Sequence, residues 1–177
     1  GAKWICQNMG VDEAEFYEAI ASFKGASKRL EKIAESKTKV AYKDFAHSPS
    51  KLKATTQAVR TQFPDRKLIS CMELHTFSSL NEDFLDQYAG SMAGGDVKIV
   101  YFNPHTIAHK KLKEITPEMV RKAFSDESIK VYTDSAILQK DIQSYSKGKS
   151  VFLMMSSGTF DGMNLENLTS QLIQSNQ

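Results

Sequence analysis

The chain alternates short apolar runs with longer stretches whose apolar residues return every three or four positions. Residues 37–46 alternate and are rich in the β-formers Val40, Tyr42 and Phe45, which predicts a strand. That run stops at Ala46-His47-Ser48-Pro49, and proline suits the first turn of a helix. A helix is therefore predicted over 49–63, with Leu52, Thr55, Thr56, Val59 and Phe63 on one side. The unit then repeats, with a strand over 67–74 and a helix over 81–92 ended by Gly94-Gly95. Residues 96–102 predict another strand, followed by an irregular stretch and a helix over 117–124. Strands over 129–133 and 150–155 are each followed by a helical pattern, over 135–145 and 165–175. Ahead of them all, residues 11–23 carry Ala14, Phe16, Tyr17, Ala19, Ile20 and Phe23 at mostly helical spacing, with Asp12 placed to cap the start.

Near-continuous apolar strands such as Val151-Phe152-Leu153-Met154-Met155 suit sheet positions covered on both faces, and parallel strands need helical crossovers of about this length. The fold class is therefore α/β: a three-layer, Rossmann-like, essentially doubly wound domain with a mostly parallel sheet of about six strands. Ligands of such sheets bind beyond the carboxyl ends of the strands. The loops over 44–49, 73–80, 103–109 and 156–162 then all face one rim, and they hold most of the unusual residues.

Composition narrows the possibilities. Lysine and arginine number 23 against 21 acidic residues, too balanced for a protein whose main task is neutralising a nucleic-acid backbone. Cys6 and Cys71 lie far apart among apolar neighbours, which predicts two reduced thiols and a cytoplasmic protein. No apolar run reaches the roughly 18 residues of a membrane span. The opening Gly1-Ala2-Lys3-Trp4 has no signal-peptide layout and reads as a cut from something longer. Trp4 and the seven methionines are expected to be packing residues.

Among chemical signals, Gly148-Lys149-Ser150 ends like a phosphate-binding loop, but Gln143 stands where the loop's first glycine belongs and a strand follows where a helix must. Any ATP bound would thus have its phosphates held elsewhere. His105 and His109 are four apart but lack a third ligand, so no metal site is assigned. Cys71 sits inside a predicted strand and reads as core. The segment Asp44-Phe45-Ala46-His47-Ser48-Pro49 gathers a carboxylate, an imidazole and a hydroxyl at a strand's end. It suits either a ribose grip or a capping cluster in which Ser48 caps the next helix. Arg29 follows a turn that runs into a strand and is either an anion contact or a surface ion pair.

Gly25-Ala26-Ser27-Lys28-Arg29-Leu30-Glu31, followed about fifteen residues on by the Asp44 to Pro49 motif, resembles the C-terminal domain of the Mur ligases, over nearly the whole chain. Within that family the segment Met154-Met155-Ser156-Ser157-Gly158-Thr159-Phe160-Asp161-Gly162 is most similar to the murein peptide ligase subfamily. Two departures stand out: Ser48 replaces a usual second histidine, and Glu73-Leu74-His75-Thr76 replaces a Pro-Arg or Pro-His-Arg sequence. The resemblance implies a division in which residues 1–24 end a central domain and residues 25–177 form the C-terminal ligase domain. It implies an ATP- and Mg2+-dependent ligase joining a peptide, L-alanyl-γ-D-glutamyl-meso-diaminopimelate, or an amino acid to UDP-N-acetylmuramate. The absent N-terminal and central domains of the same polypeptide would hold the sugar nucleotide, the phosphates and the metal. Arg29, Asp44, His47 and Ser48 are then expected at the nucleotide, and His75, Ser78, Asn103, Ser156, Ser157 and Thr159 at the amine substrate, with His75 standing in for the missing arginine. Ser79 and His105 belong to the same rim loops. The isolated fragment is expected to be inactive. Two readings compete with this one: a nucleotide- or partner-binding module without catalysis, and a small hydrolase, which lacks a Gly-x-Ser-x-Gly elbow.

Overall fold

The computed structural model describes residues 1–22 and 29–174. Two helices, α1 (Ala2–Asn8) and α2 (Glu13–Ala21), come first. α2 begins with a capping box in which the Asp12 carboxylate accepts from Glu15 N and the Glu15 carboxylate accepts from Asp12 N. Neither helix buries a residue. Trp4 is 68% exposed and Met9, Ile5, Tyr17 and Ile20 are exposed beside it, so the expectation that Trp4 is a packing residue does not hold. The predicted turn at residues 23–28, and with it the expected division at 24/25, lies outside the described residues.

The remaining elements are β1 (Glu31–Glu35), β2 (Lys39–Asp44), α3 (Pro49–Gln62), β3 (Lys67–Leu74), α4 (Glu82–Leu85), β4 (Val97–Phe102), α5 (Pro104–His109), α6 (Pro117–Ala123), β5 (Lys130–Tyr132), α7 (Ser135–Ser144), β6 (Ser150–Met155) and α8 (Leu165–Gln174). They form one six-stranded sheet in the order β1-β2-β6-β3-β4-β5. Only β1 is antiparallel, and its pairing with β2 shifts register between Lys32 and Ala34. The α/β class and the mostly parallel six-stranded sheet are as predicted.

Two local expectations fail. The helix predicted over 81–92 is one turn, α4, followed by a 3-10 turn at Asp86–Tyr88 and further turns. Gly90 at φ 66 breaks the helical path, and the apolar Leu85, Tyr88 and Met92 pack from turns instead. The stretch read as irregular after β4 contains α5, whose start is fixed by Asn103 and Pro104.

Strand residues alternate between two cores. Val40, Tyr42, Leu68, Met72, Val100, Phe102, Val151 and Leu153 pack against α3, α4, α5 and α6, whereas Ala41, Ile69, Cys71, Ile99, Tyr101, Phe152 and Met154 pack against α7 and α8. Chain direction makes this asymmetry functional. β2 and β3 send their following helices to one face, while β6, which lies between them, sends α8 to the other. The loops leaving these three adjacent strands diverge, and a crevice opens above the end of β6.

Candidate functional site

The crevice divides into two cavities that share Asp44 and Phe45. On the α3 side, a cavity of about 240 Å³ is lined by Arg29, Asp44, Phe45, Ala46, Lys51, Ala54 and Thr55. On the α8 side, one of about 100 Å³ is lined by Lys43, Asp44, Phe45, Met154, Ser156, Ser157, Gly158, Phe160 and Leu165. Lys43 lines only the α8-side cavity, whereas Asp44, at the strand's end, borders both.

Asp44 ends β2 with its carboxylate folded onto the backbone. One oxygen accepts from Leu30 N at 2.5 Å and the other from Ala46 N at 2.6 Å. It thereby anchors the Arg29-Leu30 turn, where Leu30 takes φ 44, beside the first residue of the following loop. His47 places Nδ1 at 2.8 Å from the Phe45 carbonyl, which can only accept, so Nδ1 is the donor of this contact. Its ring meets Phe45 edge-on at 5.0 Å, and the Tyr88 hydroxyl donates to its carbonyl oxygen. Burial pushes the Tyr88 phenol well above its ordinary value, so it remains a donor. Ser48 occupies the N-cap position of α3 but makes no side-chain capping bond. Of the two readings of the Asp44 to Pro49 segment, the Ser48 cap is therefore not formed.

The α8-side loop is organised by Glu73, a carboxylate 2% exposed in a strand that after its exposed Lys67 is otherwise made of apolar and small residues. Glu73 Oε2 accepts from the Ser156 hydroxyl and from Phe160 N at 2.8 Å. Ser156 Oγ in turn accepts from Gly158 N at 2.6 Å. His75 Nδ1 lies 3.5 Å from Glu73 Oε1. Gly158 is required by this packing: a Cβ there would lie 2.7 Å from the His75 ring and 2.8 Å from Glu73 Oε2. Beyond it, Phe160, Asp161 and Gly162 take φ values of 50, 60 and 76, a turn of left-handed backbone that costs about 1–2 kcal/mol per non-glycine residue. The Phe160 N–H bond to Glu73 and the buried Phe160 ring, 6.2 Å from that of Tyr101, hold it in place. Tyr101 itself is pushed up to about 12 by burial and by the charges of Asp161, Glu73 and Asp134.

The other expected substrate residues have local partners. Ser78 Oγ lies 3.2 Å from Thr76 Oγ1, and Ser79 donates to the Thr76 carbonyl at 3.1 Å. Asn103 accepts from His105 N at 2.8 Å as the cap of α5, and Thr159 Oγ1 accepts from Gly162 N at 3.0 Å. His75 faces Glu73 rather than either cavity lining. The Ser157 hydroxyl is shielded from solvent without a hydrogen-bond partner among the described residues. Arg29 and Asp44 thus meet at one cavity, and Asp44, Ser156 and Ser157 at the other, whereas His75, Ser78 and Asn103 line neither. Sequence reasoning missed Glu73, Lys43 and Phe45. A carboxylate inside Leu68-Ile69-Ser70-Cys71-Met72-Glu73-Leu74 was the available signal for the first, since a buried charge must be hydrogen-bonded or paired. Among the described residues, no three His, Cys, Asp or Glu side chains gather as a metal-ligand set.

The open sheet carries its divided crevice at the carboxyl ends of its central strands, the arrangement of a doubly wound α/β domain. The chain belongs to the Mur ligase glutamate ligase domain family, whose model matches residues 28–158. It is 31% identical over 114 residues to the UDP-N-acetylmuramate–L-alanine ligase of Caldicellulosiruptor bescii, covering 64% of this chain and 24% of that protein. It is 30% identical over 128 residues to the bifunctional enzyme MurC/Ddl of Chlamydia trachomatis, covering 72% of this chain and 16% of that one. The chain therefore spans a quarter or less of these curated relatives' length. Its fold is shared with the murein peptide ligase of Psychrobacter arcticus, at TM-score 0.64 and 22% identity over 89% of this chain and 32% of that one. It is also shared with the UDP-N-acetylmuramate-alanine ligase of Thermotoga maritima, at TM-score 0.69 and 17% identity over 89% and 33%. Among the described residues, no helix is long and apolar enough to cross a membrane.

Proposed function

We propose that this chain is the C-terminal portion of an ATP-dependent ligase that forms an amide between the carboxylate of UDP-N-acetylmuramate and the amine of an L-alanyl substrate. Such an enzyme serves peptidoglycan biosynthesis or recycling in the bacterial cytoplasm. The family match over residues 28–158, together with two cavities meeting at Asp44 and Phe45, carries the reading. The α3-side cavity sets the cations Arg29 and Lys51 beside the apolar Phe45, Ala46 and Ala54, a mixture suited to one edge of a nucleotide rather than to a triphosphate. Arg29 would face a phosphate, Asp44 and His47 the ribose or adenine, with Ser48 beside them. Mg2+ and the remaining phosphates fall to the central domain of the same polypeptide. ATP, when bound, would supply the phosphoryl group that activates the muramoyl carboxyl, with ADP leaving; the amine nitrogen then bonds to the activated carbonyl carbon and phosphate departs as the amide forms. What this chain contributes is orientation: it holds the amine in the α8-side cavity, lined by Ser156 and Ser157 with Thr159 on the same loop, within reach of the activated carboxyl.

The amine is either the L-alanyl end of L-alanyl-γ-D-glutamyl-meso-diaminopimelate, as the Ser156 to Gly162 loop suggests, or free L-alanine, as the names of the curated relatives and the small α8-side cavity suggest. Both present the same nucleophile. Phosphate release by the full-length protein, given ATP, Mg2+, UDP-N-acetylmuramate and each amine in turn, tests the reading. Turnover that requires the amine and the sugar nucleotide together supports it, and none with either amine removes it.

A further inference from the structure

We propose that the end of the sheet opposite the crevice is a basic face that docks on an anionic membrane surface. This goes beyond the ligase reading and does not depend on it. The three adjacent strands β2, β6 and β3 are each led by cations: Lys37 stands two residues ahead of β2, Lys147 and Lys149 run into β6, and Arg66 and Lys67 open β3. Register lines these positions up. Lys39, Ser150 and Lys67 are direct partners across the sheet, Ser150 N donates to the Thr38 carbonyl at 3.1 Å, and Lys67 N donates to the Lys149 carbonyl at 3.0 Å. Gly148, at φ 81, turns the chain between Lys147 and Lys149. With neighbouring strands about 4.8 Å apart, the five cations start from backbone that spans roughly 10 Å across the sheet.

Lys37, Lys67, Lys147 and Lys149 are exposed and Arg66 is half-buried, and none of them forms an ion pair among the described residues. Lys39 is buried and donates to the Leu172 carbonyl at 2.8 Å, so it is no part of the face. The neighbouring acids are already committed: Glu35 to Lys32 at 2.5 Å, Asp96 to Arg60, Asp126 to Lys98 at 2.5 Å and Asp141 to Lys130 at 2.9 Å. Asp65 stands beside Arg66 in the row, and Glu127 lies two strands away beside β5. Five cations thus face one acid at this end of a chain whose net charge is only +2.

The chemistry of the face selects a bilayer among polyanions. A single small anion gains little from an exposed ammonium, because water screens the pair, whereas a dense plane of lipid phosphates collects a contribution from every cation, and clusters of about four to eight suffice. A protein partner would need an apolar core to its interface. The exposed large apolar side chains of the described residues lie on or beside α1 and α2, in the rim loops and at the start of α7, and none belongs to these turns. A single-stranded nucleic acid would need a free ring on which to stack a base, but the Tyr145 ring beside the face is already covered by Lys67 Nζ at 5.0 Å and Lys130 Nζ at 5.2 Å. β6 is six residues long, which sets the face about 17 Å from the crevice at the strand's other end. Docking by this end leaves the crevice pointing away from the bilayer.

The test is co-sedimentation of the full-length enzyme with phosphatidylcholine vesicles that contain either no anionic lipid or about 30% phosphatidylglycerol. Binding is expected only on the anionic vesicles, and it should weaken about tenfold or more between about 0.05 M and about 0.3 M salt. The combined variant Lys37→Gln, Lys67→Gln, Lys147→Gln and Lys149→Gln should bind about 100-fold more weakly with its melting temperature unchanged, since each lysine near the surface contributes about fivefold. Arginine at the same four positions should bind like the wild type. So should the combined variant Lys110→Gln, Lys111→Gln, Lys113→Gln and Arg121→Gln, which removes the same charge around α5 and α6. A wild type that ignores anionic vesicles, or two glutamine variants that bind them equally, overturns the face. Tighter binding of the same four lysines to a single-stranded oligonucleotide or to polyglutamate than to anionic vesicles overturns the choice of a membrane.

Discussion

Two loops at the rim, each tied down by a carboxylate, are built on different physics. The loop after β2 hangs on Asp44, which is half-buried and receives two backbone amides at the crevice mouth. The loop after β6 hangs on Glu73, which is buried and receives one amide and one hydroxyl. Water can replace much of what Asp44 provides. Nothing replaces what Glu73 provides, and the backbone it restrains is left-handed at Phe160 and Asp161. The first loop can adjust to a ligand at modest cost, whereas the second is preformed and held under load.

The sharpest way to break this contrast is to remove the two carboxylates. Glu73→Ala strands the Ser156 hydroxyl and the Phe160 amide in the interior and should cost about 3 kcal/mol or more in chemical denaturation. Glu73→Gln keeps an acceptor and should cost clearly less. Next in size is Gly158→Ala, whose added methyl meets His75 and Glu73. It should cost about 1–3 kcal/mol, measured the same way, and raise the full-length enzyme's KM for the amine before that for ATP. Asp44→Ala should cost only about 1–2 kcal/mol, because solvent reaches the freed amides, but in the full-length enzyme it should raise the KM for ATP about tenfold as the Arg29 turn loosens. Equal stability losses at Asp44 and Glu73 would erase the distinction drawn here.

The smallest effect concerns Tyr101, whose hydroxyl is buried without a partner among the described residues. Its folded-state pKa, about 12, exceeds the ordinary 10, so the folded protein holds this proton longer than the unfolded chain does. The stability it confers is whole below about pH 10 and is lost as pH rises toward 12. Tyr101→Phe should therefore be near neutral at pH 7, within about 1 kcal/mol, and should flatten that alkaline decline in a pH series of melting curves.

What the sequence revealed follows the range of the forces involved. Strands β3 and β6 were legible almost to the residue because a strand covered on both faces is mostly apolar, and β2 because its β-formers alternate up to a proline turn. The 81–92 segment was misread because Leu85, Tyr88 and Met92 are spaced like a helix although turns broken at Gly90 deliver them to the core. α5 was missed because it is six residues long, too short for periodicity, and only its Asn103-Pro104 start was visible. At the rim, the loops were placed correctly from strand direction, but which side chains meet in them was not. The Glu73 to Ser156 bond joins residues 83 apart in sequence, and no local pattern encodes such a contact.

The two borders of the sheet bear on how the molecule behaves when crowded. A long, regular border strand offers unpaired amides and carbonyls to any neighbour and invites polymerisation. Here one border, β1, is interrupted by its register shift at Lys32 and Ala34 and is lined by Glu31, Lys32 and Glu35, while the other, β5, is three residues long and opens on Lys130. Neither gives a second copy enough straight, neutral backbone to extend the sheet. The same charged and register-shifted border therefore guards the protein against fibre formation.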